Sequence, residues 1–379
     1  MQTKRLFISY MLLLILSNKS FADMGWMLQS SGITGEDPSL NSVHFVDENI
    51  GWIVGNDINN KIGYVLHTID GGKNWNTQNS AKGNWNYFES IFFTDPLDGW
   101  IVGGNGEMFY TADGGNIWST QGNFDPGSYF WDVFFLNKNY GIAVGANYSD
   151  DIGIVIKTEN GGDTWDTIID NTLVGNYLKS VYIINENIAW AAGYEDIDGR
   201  DYGVILKTEN RGDSWTIMKS GIQSSIHGTG GLQDIFFINE TNGWAVGYSG
   251  IIVNTNDAGE NWQIQNEEGN VFRAVHFIDQ KTGWVVGAYG KILKTTDGGS
   301  NWTEEESNTG NCLESVFFTG QQNGWAVGSN WPKGGEATIL HYGEMPSGID
   351  DKDLTDFDYI LDYKLFPSTP NPVSNQTTI

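Results

Sequence analysis

A single cysteine, Cys312, occurs in 379 residues, so no internal disulfide can form and a packed core must hold the chain together. Cys312 lies just before an apolar segment, where a buried small side chain is expected and a reactive thiol is the alternative. Basic residues are scarce: 20 Lys and Arg face 47 Asp and Glu, for a formal charge of −27. Such a surface repels phosphate backbones and anionic headgroups, which excludes a nucleic-acid partner and disfavours anionic membranes. Long hydrophobic runs are absent apart from Leu6–Leu16, which is too short to span a bilayer. Proline is also rare, at 8 residues, whereas the 49 Gly, 16 Trp and 16 Tyr suit many short strands joined by tight turns.

The N-terminus reads as an export signal over residues 1–22. Lys4 and Arg5 precede the apolar run, and Ser20 and Ala22 supply small residues for cleavage after Ala22. The expected destination is secretion or the cell surface through the periplasm.

Internal repetition dominates the chain beyond that signal. Seven segments share one apolar and aromatic pattern: LNSVHF, FESIFF, FWDVFF, LKSVYI, LQDIFF, FRAVHF and LESVFF. Each leads into a version of Gly-Trp-x-Val-Gly, starting at Gly51, Gly99, Gly141, Ala189, Gly243, Gly283 and Gly324, at spacings of 40 to 54 residues. Six units continue into a third strand and a turn motif such as TADGGNIW, Thr111–Trp118. Four short strands per unit, repeated seven times, predict an all-β seven-bladed propeller over residues 23–343. Because blades pack on both sides, the strands are expected to be apolar on both faces. The seventh unit lacks its outer strand, and Trp26–Ser31 resembles the missing piece, so the N-terminal strand is expected to close the ring.

The turn motif pairs Asp70 with Trp75, Asp113 with Trp118, Asn160 with Trp165, Asn210 with Trp215, Asp257 with Trp262 and Asp297 with Trp302. Asn cannot do the acid–base work of a carboxylate, yet it can accept the same hydrogen bond, so the motif is structural. Its Asp or Asn is expected to bond the N–H two residues on, with the glycines supplying positive φ and the Trp buried between blades. This S/T-x-D-x-G-x-x-W pattern resembles the Asp-box, or bacterial neuraminidase repeat. Together with Gly-Trp-x-Val-Gly, residues 26–343 resemble the photosystem II stability and assembly factor-like propellers. In the photosynthetic members the resemblance implies a chaperone-like protein that binds a reaction-centre subunit through a basic face. Here the surface is acidic, and only Arg200, Arg211 and Arg273 follow the signal.

The remaining segments read differently. Residues 344–362 are acidic and poor in pattern, as expected of a solvated linker. Residues 363–379, with PNP at Pro370–Pro372, resemble the start of a type IX secretion sorting domain, which implies the type IX machinery as a partner.

Signals for chemistry are weak. Sialidases, which share the Asp-box, clamp a carboxylate with three arginines, and Arg211 falls inside a turn motif on the face away from a propeller site. Xyloglucanase-type hydrolases clasp a cleft between two propellers, whereas one is predicted here. Four histidines, His44, His67, His276 and His341, fall at equivalent repeat positions, as strand residues do, and no HExxH spacing exists. The run Asp196–Asp201 loosely matches calcium-loop spacing but lacks the terminal Glu, so a solvated loop is expected. No cofactor and no metal site is assigned.

One position of the inner strand varies freely among otherwise restricted neighbours: Asn41, Glu89, Trp131, Lys179, Gln233, Arg273 and Glu314. It falls at the strand start near the axis. Tyr148, Tyr194, Tyr248, Tyr289 and Trp331 end second strands on the same face, and Trp85 and Tyr87 lie in a loop there. Aromatics among mixed charges suit recognition of a protein or glycan by a monomer; a solvated rim is the bland alternative. A non-catalytic binding or scaffold module is therefore expected, with a glycoside hydrolase using top-face carboxylates as the other reading.

Overall fold

The computed structural model describes residues 23–78, 87–150, 152–168, 176–198, 200–218, 231–267, 269–332 and 334–345. The signal segment, the acidic linker beyond Met345, the sorting-domain start and Trp85 lie outside them. Met24–Glu344 forms one unit. Of the other unit, the described residues are Asp23 and Met345, whose amide donates to the Asp23 carbonyl at 2.7 Å.

Seven four-stranded antiparallel sheets make up the propeller. Blade one runs from β2 (Pro38–Phe45) through β3 (Gly51–Asp57) and β4 (Ile62–Thr68) to β5 (Asn76–Thr77). The other inner strands are β6 (Phe88–Phe93), β10 (Ser128–Phe135), β14 (Asn176–Ile183), β18 (Leu232–Phe237), β22 (Phe272–Phe277) and β26 (Leu313–Gly320). Each touches the next around the axis, and β26 touches β2. The last blade has the order β1 (Met24–Gln29), β28 (Thr338–Glu344), β27 (Asn323–Gly328), β26, so β1 pairs with β28 as the expected closing strand. Trp26, 2% exposed, anchors it against Phe318 and Tyr342.

Burial is graded rather than uniform, which corrects the expectation of two apolar faces. Second strands such as β3 are buried at every residue, inner strands present a half-buried side to the axis, and the short outer strands are largely exposed. Only the middle of a blade has neighbours on both faces; the rim and the axis meet solvent.

The recurring Gly and Trp have distinct physical jobs. A Cβ at Gly51 would sit 2.5 Å from the Phe45 ring, so the blade's inner-strand Phe can lie flat only over glycine. The other face of that Phe receives the second-strand Trp of the preceding blade: Trp52 on Phe93 at 3.5 Å, Trp100 on Phe135 at 3.6 Å, Trp244 on Phe277 at 3.6 Å, Trp284 on Phe318 at 3.7 Å. At the ring closure Trp325 stacks on Phe45 at 3.6 Å. The turn-motif Trp meets the same Phe edge-on, as Trp75 does Phe45 at 5.8 Å. One seam departs from the scheme. Ile142 replaces the Trp and Ile183 the Phe, with Ala189 in place of the first glycine. Ion pairs cross that seam at its rim, from Lys157 to Asp213 and from Arg211 to Glu159, and Arg211 also pairs with Glu186 of its own blade.

The turn motif is wired differently from the sequence expectation. The Asp70 carboxylate accepts from the Asn74 amide, four residues on, at 3.0 Å. The N–H of Asp70 itself, two residues on from Thr68, donates instead to the Thr68 hydroxyl at 3.3 Å, as does Gly72 at 2.9 Å. Asn160 and Asn210 reproduce this with Thr158 and Thr208. A hydroxyl one bond shorter than the carboxylate closes the tight part of the turn and leaves the longer arm to span it. The run Asp196–Asp201 is likewise no open loop: Asp196 pairs with Asp201, and Ile197 with Arg200, at the tip of the hairpin of β15 (Ala189–Ile197) and β16 (Arg200–Thr208).

Two outcomes test this account. Removing residues 23–32 should lower the melting temperature sharply, and Trp26→Ala alone should cost about 3–5 kcal/mol in a denaturant titration. Asp113→Asn should leave the melt nearly unchanged, whereas Asp113→Ala should lower stability by about 1–2 kcal/mol, because only the former keeps the acceptor for the Ile117 amide.

Candidate functional site

Each inner strand carries a β-bulge two residues wide at its start, as at Leu40/Ser42 and Phe130/Asp132. The same shift recurs at Phe88/Ser90, Leu178/Ser180, Leu232/Asp234, Phe272/Ala274 and Leu313/Ser315. The extra residue has no ladder partner, so its side chain is re-aimed. These extra residues are Asn41, Glu89, Trp131, Lys179, Gln233, Arg273 and Glu314, the freely varying position of the repeat. All seven line one axial funnel of about 240 Å³. The second glycine of the repeat serves the bulge: a Cβ at Gly55 would lie 2.0 Å from the Ser39 carbonyl oxygen.

Within the funnel the charges are organised. Lys179 Nζ sits 3.4 Å from the centre of the Trp131 ring and 5.8 Å from that of Tyr194. Burial pulls the Lys179 ammonium down to about 8, against the upward pull of Glu89. Burial pushes Glu89 up to about 7, although Tyr129 donates its hydroxyl to it. Arg273 pairs with Glu314 at 3.3 Å, donates to Gln233 at 2.9 Å and lies 5.7 Å from the Tyr248 ring. Cys312, just before the bulge of β26, is buried, its thiol pushed up to about 12 by burial and by Glu314.

Aromatic shelves flank the funnel. On one side Tyr129, Trp131, Tyr148, Tyr177 and Tyr194 form a chain of contacts, with Tyr177 and Tyr194 stacked at 4.9 Å. On the other, Tyr248, Tyr289 and Trp331 line a groove of about 520 Å³ that shares Arg273 and Glu314 with the funnel. Tyr289 and Trp331 are each more than half exposed. Tyr87 lies half-buried at the start of β6, its carbonyl accepting from Gly104 at 2.9 Å. The turn motifs end the third strands and therefore lie at the opposite end of each blade from the funnel.

Two features escaped the sequence reading. Asp132 and Asp234 latch neighbouring blades. Asp132 accepts from Ser90 at 2.8 Å and from the Val181 amide at 2.9 Å, and Asp234 from Ser180 at 2.7 Å and the Val275 amide at 2.8 Å. Below them the next axis-facing position closes a belt of seven rings. His44, Phe92, Phe134, Tyr182, Phe236, His276 and Phe317 meet in turn at 4.4–5.0 Å. A signal for the belt existed, since every repeat places an aromatic ring or histidine there. Burial holds His44 and His276 near 4, so both rings are neutral at ordinary pH. Among the described residues no group of three His, Cys, Asp or Glu could hold a metal ion, and no helix is long and apolar enough to cross a membrane.

These features define a seven-bladed propeller of Asp-box repeats with a charged axial funnel. The family described as photosynthesis system II assembly factor YCF48 matches residues 26–123 and 263–341, and over those stretches the chain is similar to photosystem II assembly factor-like β-propellers. Among solved structures, "YCF48 bound to D1 peptide" is 19% identical with a TM-score of 0.64, covering 84% of this chain and 96% of its own. YCF48 from Cyanidioschyzon merolae is 21% identical with a TM-score of 0.62, covering 84% of this chain and 98% of its own. The WD40 propeller of Doa1 reaches 0.63 at 10% identity, covering 86% of this chain and 98% of its own, so shape alone does not separate repeat types. No curated protein matches in sequence.

Glu89 supplies a pH test. Its unfolded carboxyl titrates near 4.5 and its folded one near 7, so the folded state retains a proton that the unfolded state has released. Stability from this group is present below the lower value and lost as pH rises through the upper one. Glu89→Gln should therefore raise the melting temperature relative to the natural chain more at about pH 8 than at about pH 5.

Proposed function

We propose that this propeller is an exported, non-catalytic binding module that captures an extended segment of a protein partner across its axial funnel, with delivery to the cell surface by the type IX machinery. The observation that carries the reading is the convergence of the seven bulge residues on one cavity between two aromatic shelves. Side chains released from the sheet ladder vary without cost to the fold, so the ring is suited to specificity. Exposed Tyr and Trp supply rigid contact area with little ordering entropy, and Lys179 and Arg273 add directional charge. A relative of the same fold is described as bound to a peptide, which favours a protein segment over a glycan.

A hydrolase reading finds less support in the funnel. A glycosidase needs two carboxyl groups free to face a sugar ring. Asp132 and Asp234 are committed to cross-blade hydrogen bonds, Glu314 to Arg273, and Glu89 to Tyr129.

Panning a displayed random-peptide library and a glycan array against the purified chain tests the proposal. Saturable peptide ligands are expected. Their binding should be abolished in the double variant Trp131→Ala, Arg273→Ala, with the circular dichroism spectrum retained. Glycan-only binding, or polysaccharide cleavage lost on a single Asp or Glu change, overturns it.

A further inference from the structure

Below the funnel the axis continues into a second cavity of about 330 Å³, bounded by the belt of seven rings and, at its throat, by Asp132 and Asp234. We propose that this chamber binds an alkylammonium group, either a free amine or the side chain of a lysine carried by a partner segment.

Three independent features of the chamber select that chemistry. The first is its wall. Neighbouring belt rings are tilted by 42–57°, so π faces as well as edges border the cavity, and such faces attract a cation at short range. The neutrality of His44 and His276 leaves the belt without opposing charge.

The second is the hydrogen-bond inventory of the throat. Besides the cross-blade bonds, Asp132 accepts from its neighbour Val133 and Asp234 from its neighbour Ile235. Three donors thus occupy the Asp234 carboxylate, which has about four acceptor positions, and one is left for a further N–H; the Ser180 hydroxyl, which donates to Asp234, also approaches Asp132. Both residues are only partly covered, so an edge of each faces the cavity.

The third is charge. Among the described residues no Lys or Arg forms a salt bridge with Asp132 or Asp234, because Lys179 is seated on Trp131 and Arg273 on Glu314. Burial raises the two carboxyls to about 6 and about 7, and a cation at the throat would offset that penalty. Other ligand classes fit less well. An anion meets two carboxylates. A calcium ion needs six to eight oxygens, where the belt supplies only rings and one phenol. A neutral apolar molecule leaves the carboxylates unanswered.

The experiment uses the purified chain and reads thermal shift and calorimetry with n-butylammonium, tetramethylammonium and the neutral 1-pentanol. A second arm compares a short single-lysine peptide with its acetyl-lysine counterpart. Butylammonium or the lysine peptide should bind saturably and raise the melting temperature, with no effect from pentanol or the acetylated peptide. Affinity should rise from about pH 5 to about pH 8 as the throat carboxyls ionise, while Glu89, Glu314, Lys179 and Arg273 above the throat modulate the slope. Phe134→Leu, which keeps the chamber apolar, should weaken binding about tenfold, and Asp234→Asn should weaken it further. Binding by the peptide alone identifies a partner side chain as the source; binding by the free amine identifies a small ligand. Equal effects of the neutral and charged probes, absence of binding in both arms, or indifference to both substitutions overturns the proposal. The free-amine arm involves no partner segment, so its outcome is separate from that of the peptide panning.

Discussion

The stack of a Trp on a neighbouring blade's Phe organises most of the molecule. Each such Phe lies between a glycine of its own blade and an indole of the preceding one, at 3.5–3.7 Å at five of the six stacked seams. The sixth, Trp190 on Phe237, is looser at 4.5 Å. An aromatic pair contributes about 0.5–1.5 kcal/mol beyond the area it buries, and the gain here recurs around a closed ring. The indole N–H adds direction, since Trp52, Trp100 and Trp244 donate to glycine carbonyls of the next blade's turn motif at 3.1–3.2 Å. Gln78, Gln121 and Gln265 of the outer strands grip the same carbonyls. The turn motif is therefore a receptor for the preceding blade, which explains its insensitivity to Asp or Asn.

The same seam geometry accounts for the axis. Six flat stacks and one aliphatic seam hold the inner strands side by side, and the bulge at each strand start turns one residue per blade inward without disturbing the ladder below. The first and third residues after the bulge residue then share the axis side. The former carries Ser or Asp in six blades, with Ala274 in the other, and knits adjacent blades, while the latter carries rings and forms the belt. Recognition and cohesion thus occupy successive levels of one channel, and the funnel can vary because the levels beneath it do not.

Some of this was legible in the sequence. The period, the seven blades and the closing role of Trp26 followed from patterns that recur within one chain. The bulge residues were found as the one free position among constrained ones, though the bulge itself was not foreseen. The belt was overlooked at His44 and His276, which resembled ordinary strand residues because their significance lies in partners some forty residues away. Asp132 and Asp234 resembled chance variation at a small position, since the amides they accept, from Val181 and Val275, belong to the next blade. The division of labour between Thr68 and Asp70 depended on a fraction of an ångström in turn geometry.

By itself the sequence determined the fold, because each repeat states the same local demands: a glycine beneath a Phe, an indole to cover it, a Thr and an Asp or Asn to close the turn. It also determined which side chains are free to vary. Tertiary structure alone decided what those side chains meet. Lys179 rests on Trp131, Arg273 holds Glu314, and seven rings close upon one another only when the ring of blades is complete. The physical reason is that local hydrogen bonding and packing are written within a single repeat. Contacts across the axis join different repeats, and circular closure alone sets their distances.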